Sequence, residues 1–123
     1  LMSLVSFPSW GLTMDDLVNR SGVTYKKFSD IPFSGEVTGQ WRGVFKNGRM
    51  EGLWVKYWSN GQLHFKGNHR NGKHEGYWEY YLENGQLDAK GNYKNGKQEG
   101  YWVFDNGYND LTGTYKNDVR VSD

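Results

Sequence analysis

Gly67-Asn68-His69-Arg70-Asn71-Gly72 is matched 24 residues earlier by Gly43-Val44-Phe45-Lys46-Asn47-Gly48 and 24 residues later by Gly91-Asn92-Tyr93-Lys94-Asn95-Gly96. Each copy continues alike, as Glu51-Gly52-x-Trp54, Glu75-Gly76-x-Trp78 and Glu99-Gly100-x-Trp102. Asn60-Gly61-Gln62-Leu63 and Asn84-Gly85-Gln86-Leu87 come next, and Asn106-Gly107 closes the third copy. An imperfect fourth start, Gly113-Thr114-Tyr115-Lys116-Asn117, follows after a step of 22. Self-similarity at a fixed period of this length marks a repeat architecture.

Each unit reads as a pair of strands. Asn-Gly between strand-like runs is a hairpin signal, because the central residues of a type I′ turn need positive φ. Gln62 to Arg70 alternates, with Leu63, Phe65, Gly67 and His69 on one side and His64, Lys66, Asn68 and Arg70 on the other. Period two is the spacing of a strand. The expected fold is therefore all-β: a single-layer, twisted antiparallel meander of about three 24-residue hairpin repeats. A two-residue loop at Asn60-Gly61, and at Asn84-Gly85, would set Trp54 opposite Gly67, Trp78 opposite Gly91 and Glu79 opposite Lys90. An indole over a glycine fills the space of the missing side chain. One face then carries Trp54, Trp58, Leu63, Phe65, Trp78, Tyr80, Leu82, Leu87, Tyr93 and Trp102, as a core. The other carries Leu53, Val55, Tyr57, Tyr77, Tyr81, Tyr101 and Val103 among Gln62, His64, Lys66, Gln86 and Lys90, a mixture suited to binding.

The ends are unlike the middle. Residues 1–12 are apolar and uncharged, with no initiating Met or basic leader, so the sequence is expected to start inside a longer chain. This stretch reads as a remnant of a secretory signal, with Ser9-Trp10-Gly11 as cleavage triplet, or as an apolar arm that packs against the domain or stays loose. Thr13 as N-cap, Asp15 and Asp16 in a first turn, and Met14, Leu17 and Val18 at helical spacing predict a short helix and linker over 13–22. Residues 23–42 read as a degenerate leading β unit, 43–117 as the repeats and 118–123 as a C-terminal tail.

Composition bounds what such a chain does. With 123 residues it has room for one domain, and 17% aromatic residues argue against disorder. Fifteen basic against 14 acidic residues exclude a global electrostatic pull toward nucleic acid, though not a local basic patch. The absence of cysteine excludes disulfides, thiolate metal sites and cysteine nucleophiles.

The frame Gly-x-Tyr/Phe-x-Asn-Gly-Lys-x-x-Gly-x-Trp-x-x-Tyr, present as Gly91 to Trp102 and as Gly67 to Tyr81, resembles MORN (membrane occupation and recognition nexus) repeats. The nearest group is a bacterial variant with Trp-x-x-Tyr and an Asn-Gly-x-Leu hairpin, often labelled an antitoxin component of toxin–antitoxin pairs. The resemblance covers roughly residues 25–117. It implies an elongated single-layer sheet that acts as a scaffold or binding surface, and it carries no catalytic residues. Phe104-Asp105 departs from the frame, which puts Tyr at position 105, and the third unit is two residues short; a capping unit is expected there.

No constellation of nucleophile, base and orienter is visible, so an enzyme is the least expected class, and no cofactor is expected. His64 and His69 point to opposite faces, and His69 occupies the slot of Phe45 and Tyr93, so metal binding is not expected. Glu51, Glu75 and Glu99 recur at the structural period and read as turn residues. Lys46, Arg70 and Lys94 (with Lys116) share one slot, and Arg49, Lys73 and Lys97 another. They form a candidate ladder for an anionic ligand or lipid surface, weighed against plain edge protection by lysine. The leading expectation is an exported, periplasmic or secreted interaction module that binds an unidentified protein through Tyr57, Tyr77, Tyr81, Tyr101, Val55 and Val103. Trp54, Trp78, Trp102, Gly67 and Gly91 are its structural residues. A cytoplasmic antitoxin-type inhibitor and a peripheral binder of anionic membranes are the alternatives; nucleic acid is not an expected partner. A strand at Thr112 to Lys116 is expected to leave an edge open to self-association.

Overall fold

In the computed structural model, which describes residues 11–107 and 111–123, the chain is almost entirely antiparallel β. Eleven strands follow in order: β1 Leu17–Arg20, β2 Val23–Lys26, β3 Gly35–Val37, β4 Trp41–Lys46, β5 Arg49–Tyr57, β6 Leu63–Arg70, β7 Lys73–Tyr81, β8 Leu87–Lys94, β9 Lys97–Phe104, β10 Gly113–Lys116 and β11 Val119–Ser122. Strands β3 to β11 form one open sheet in sequence order, and β1 and β2 form a separate hairpin. Residues 1–10 of the apolar N-terminal stretch lie outside the described residues. Its last residue, Leu12, bridges to Val37 and accepts the Thr38 amide hydrogen at 2.9 Å, covering the β3 edge.

Two kinds of Asn-Gly turn build the meander. Asn47-Gly48, Asn71-Gly72 and Asn95-Gly96 have positive φ at both residues, as a two-residue type I′ hairpin requires. Asn60-Gly61, expected to be the same, is not. Trp58 and Gln62 close a three-residue loop in which, of its members, only Gly61 has positive φ, and the Asn60 carboxamide oxygen accepts the Gln62 amide at 2.9 Å. The extra loop residue is compensated one step on, where the register shifts past His64. Trp54 consequently does pair with Gly67, Trp78 with Gly91, and Glu79 with Lys90.

The glycine beneath each indole, however, is not the one the loop geometry implied. Gly67 neighbours Trp54 on one side and Trp78 on the other, and it is Trp78 that lies over it. Trp54 likewise covers Gly43, and Trp102 covers Gly91. Gly52, Gly76 and Gly100 are the cause. Each has positive φ and sits where the strand bulges against its predecessor, so the ladder skips before each tryptophan. A bulge bends its strand and re-aims the side chains beyond it. Each indole Nε1 then donates to a carbonyl beside the covered glycine: Trp54 to Val44 (3.1 Å), Trp78 to Asn68 (3.0 Å) and Trp102 to Asn92 (2.9 Å).

These three tryptophans are the centre of the core, none more than 1% exposed. Full burial of a side chain this size contributes on the order of 5 kcal/mol in transfer free energy. Aromatic rings pack around them: Phe45 and Trp41 against Trp54, His74 and Phe65 against Trp78, and Tyr93 and Phe104 against Trp102.

Three terminal expectations are corrected. The helix over 13–22 is only a single 3-10 turn at Met14–Asp16, held by a Thr13–Asp16 capping box, after which Leu17 enters a strand. The leading unit 23–42 is divided, since β2 pairs with β1 while β3 joins the main sheet. Buried Leu17 packs with Phe33, Val37, Phe45 and Trp54, so the N-terminal hairpin closes that end of the core. The 118–123 tail is strand β11, which pairs with β10; Thr112 to Lys116 is therefore not the sheet's edge. There Arg120 takes the place of an indole beside Gly113, and its guanidinium donates to the Thr112 carbonyl at 2.8 Å. Strand β11 is exposed along its length, Val119 and Val121 included.

Candidate functional site

Alternation places the residues between the tryptophans on the opposite, open face. On β5, β7 and β9 this puts Leu53, Tyr77 and Tyr101 in equivalent positions, 56%, 49% and 58% exposed. Cross-strand pairs alternate them with small polar side chains: Leu53 with Asn68, Tyr77 with Asn92, Tyr101 with Thr114. A second row crosses the same strands as Arg42, Val55, Lys66, Glu79, Lys90 and Val103. All six residues read from the sequence as a binding face thus share that face. Tyr77 and Tyr101 are its most exposed rings, while Val55, Tyr57, Tyr81 and Val103 are half-buried.

One carboxylate organises this face. Glu79 pairs with Lys66 at 3.5 Å, although Lys90 flanks it equally in register. Partial burial, and then the Glu79 charge and a hydrogen bond to it, raise the Tyr77 and Tyr81 hydroxyls above the usual tyrosine range. Both phenols therefore stay protonated, on either side of Glu79 along β7. The Arg42 guanidinium lies over the Tyr57 ring at 5.1 Å.

A second surface is the edge formed by the type I′ turns. Register sets Lys46 opposite Arg49, Arg70 opposite Lys73, and Lys94 opposite Lys97. The ladder residues are all exposed. The repeating glutamates lie close by but are engaged with backbone. Glu51 accepts the Asn71 amide (3.0 Å), Glu75 that of Asn95 (3.1 Å) and Glu99 that of Asn117 (3.4 Å). Each thus ties one turn to the next, a role that the spacing suggested and only the geometry specifies.

The histidines sit in aromatic surroundings. His69 is 7% exposed and its Nδ1 has no hydrogen-bond partner; its ring lies 4.8 Å from that of His74. His74 stacks on Trp78 at 4.0 Å. Burial, reinforced by His74 and opposed by Glu51, pushes His69 down to about 4, and burial lowers His74 too. Sequence reasoning placed His69 in a ring slot but missed its pairing with His74, which follows from their opposition across the Asn71-Gly72 turn. Among the described residues no three His, Asp or Glu side chains group as a metal site would need.

Comparison with known proteins finds no matching family model and no similar curated protein.

Proposed function

We propose that the chain is a non-enzymatic interaction module of MORN-like repeats that binds a protein partner through its open face. The observation that carries this reading is the row Leu53, Tyr77, Tyr101: three large side chains left about half exposed in equivalent positions while the tryptophans beside them are buried. Large exposed side chains set among small polar ones, here Asn68, Asn92 and Thr114, match the mixed aromatic and polar character of interaction surfaces. Tyrosine supplies large contact area at low entropic cost, and the Glu79 charge keeps the neighbouring Tyr77 and Tyr81 hydroxyls protonated. Lys66 and Lys90 flank a carboxylate already engaged, so the complementary partner brings apolar side chains to the row and carboxylates to the lysines.

The test compares capture by the full chain with capture by a Tyr77→Ala/Tyr101→Ala variant, followed by affinity measurement on the purified captured protein. Loss of binding with unchanged thermal unfolding supports the reading; undiminished affinity overturns it. The export component rests on the apolar stretch 1–12 alone. Mass spectrometry of the mature N-terminus tests it: a start near Leu12 supports export, and an uncleaved cytoplasmic chain overturns it.

A further inference from the structure

The sheet is electrically lopsided. Seven cations, Lys46, Arg49, Arg70, Lys73, Lys94, Lys97 and Lys116, line the type I′ turn edge. The turns at the opposite edge, 58–63 and 82–87, contain no lysine or arginine. Six of the seven stand as like-charge pairs directly opposite one another across three successive turns, an arrangement that destabilises a sheet. Folding gives no reason for it to recur, because opposite charges at the same positions would add stability. The charge is answered only in part, since four carboxylates, Glu51, Glu75, Glu99 and Asp118, lie at the same edge against the seven cations. None of the seven forms an ion pair among the described residues, and the three glutamates accept hydrogen bonds from turn amides instead.

The turns are also held at fixed spacing. Gly72 donates its amide to the Met50 carbonyl (2.9 Å), Gly96 to His74 (3.0 Å) and Asp118 to Gln98 (3.1 Å). Successive turns are two strands apart, so cation pairs recur about every 10 Å. Between the last two turns lies a cleft of about 620 Å³, lined by Lys73, Lys94, Lys97 and Lys116 with Asn95, Asn117 and one carboxylate, Glu99, which accepts the Asn117 amide, so four cations there face a single acid.

From this arrangement we infer that the turn edge is a binding site for a linear polyanion bearing phosphate or sulfate groups, which runs across the turns and seats an anionic group between neighbouring cation pairs. The shape of the site selects among anions. Cations in a line match a chain-like ligand rather than the plane of a bilayer. No aromatic side chain lies among the residues lining the cleft, whereas sequence-tolerant single-stranded nucleic-acid sites stack bases on aromatic rings. The edge therefore engages charged groups alone. This site is distinct from the open face and stands independently of the protein-partner reading.

The experiment titrates the full chain with inorganic polyphosphate and, separately, with orthophosphate at equal phosphate concentration, over a range of salt. Expected are saturable binding of the polymer, weak or no binding of orthophosphate, and affinity that falls steeply with salt. The triple substitution Lys73→Gln/Lys94→Gln/Lys97→Gln should weaken binding at least about tenfold and lower the log–log salt slope by about 2, at about 0.7 per lost contact. The control Lys26→Gln/Lys27→Gln/Lys56→Gln removes the same charge elsewhere and should bind as wild type. Equal losses in the two variants would reduce the effect to net charge and overturn the site, as would orthophosphate binding as well as polymer. Tighter binding to phosphatidylserine vesicles, or to oligothymidylate, than to polyphosphate would overturn the assignment in favour of a membrane or nucleic-acid surface. Thermal unfolding of both variants at or above the wild-type temperature shows that loss of folding is not the cause.

Discussion

Trp78 lies over Gly67 so closely that a Cβ on the glycine would stand well inside van der Waals distance of the indole Cδ2, Cε2 and Cγ atoms. The same relationship joins Trp54 to Gly43 and Trp102 to Gly91, so one contact, repeated, seals the core of an open sheet. The glycine removes its side chain, the bulge at Gly76 aims the indole, and the Nε1 bond to the Asn68 carbonyl locks it.

Gly67→Ala forces this pair apart. Overpacking of a filled core typically costs about 1–3 kcal/mol, and the rigid sheet places this substitution at the upper end. Urea denaturation followed by tryptophan fluorescence should show the loss, with a changed emission maximum in the native state. Gly52→Ala is the informative contrast. A Cβ there meets nothing within 4 Å, but its φ of +71° disfavours any side chain, so the expected cost is about 1 kcal/mol with native emission unchanged.

Acid destabilises the protein through the buried histidine pair. His69 titrates near 4 in the folded chain and at its ordinary 6.5 when unfolded, so between these values the unfolded state binds the extra proton. Stability therefore rises with pH across that window, and it is lost as pH falls from 6.5 toward 4. His74, also lowered, adds to the trend, while the nearby Glu51 carboxylate opposes it at His69. His69→Phe restores the ring type that Phe45 provides in the equivalent slot and should flatten melting temperature against pH over this range. An unchanged slope would show that other groups govern acid sensitivity.

Glu75→Ala leaves the Asn95 amide without its side-chain acceptor at an exposed turn. A hydrogen bond to a charged group contributes about 1.5–3 kcal/mol where water is excluded, and solvent access reduces that here to about 1 kcal/mol. Hydrogen exchange at the Asn95 amide should accelerate, which distinguishes a local role in the turn from a general loss of stability.

Lys94→Glu converts an opposed like-charge pair with Lys97 into an opposite-charge pair. A gain of a few tenths to about 1 kcal/mol is expected at low ionic strength, shrinking as salt is added. If the turn edge binds polyanions, the same substitution should weaken polyphosphate binding while it stabilises the fold. A more stable protein with a poorer site would show that the like charges are kept for binding.

The repeat strands, their antiparallel order and the faces of most of their residues were legible in the repeated Asn-Gly and Glu-Gly-x-Trp motifs; beside the three-residue loops the faces were not, since the register shift there pairs Leu63 with Tyr57 and Leu87 with Tyr81 and stacks His64 on Trp58. These are local signals: an Asn-Gly turn joins neighbours in sequence, and alternation assigns faces without knowledge of the rest of the chain. The N-terminal segment was misread because Met14, Leu17 and Val18 satisfy helical spacing over too few residues to distinguish helix from strand. The capping box at Thr13 and Asp16 is real, but so short a helix does not cover its nucleation cost. Burial of Leu17 against Phe33 and Trp54 goes with strand pairing instead.

Local chemistry therefore settled that this chain is a β-meander with buried tryptophans, ringed glycines and a stripe of cations. Which glycine each tryptophan covers, which Asn-Gly pair makes a two-residue turn, and which residues the glutamates bind belong to the tertiary structure. Each of these depends on relations across strands. A bulge at Gly76 moves Trp78 over Gly67, the shift past His64 absorbs the extra loop residue, and stacked turns bring Glu75 to the Asn95 amide of the next hairpin. Such displacements are small beside the strand spacing and leave no mark on hydrophobic periodicity, so only the assembled sheet decides them.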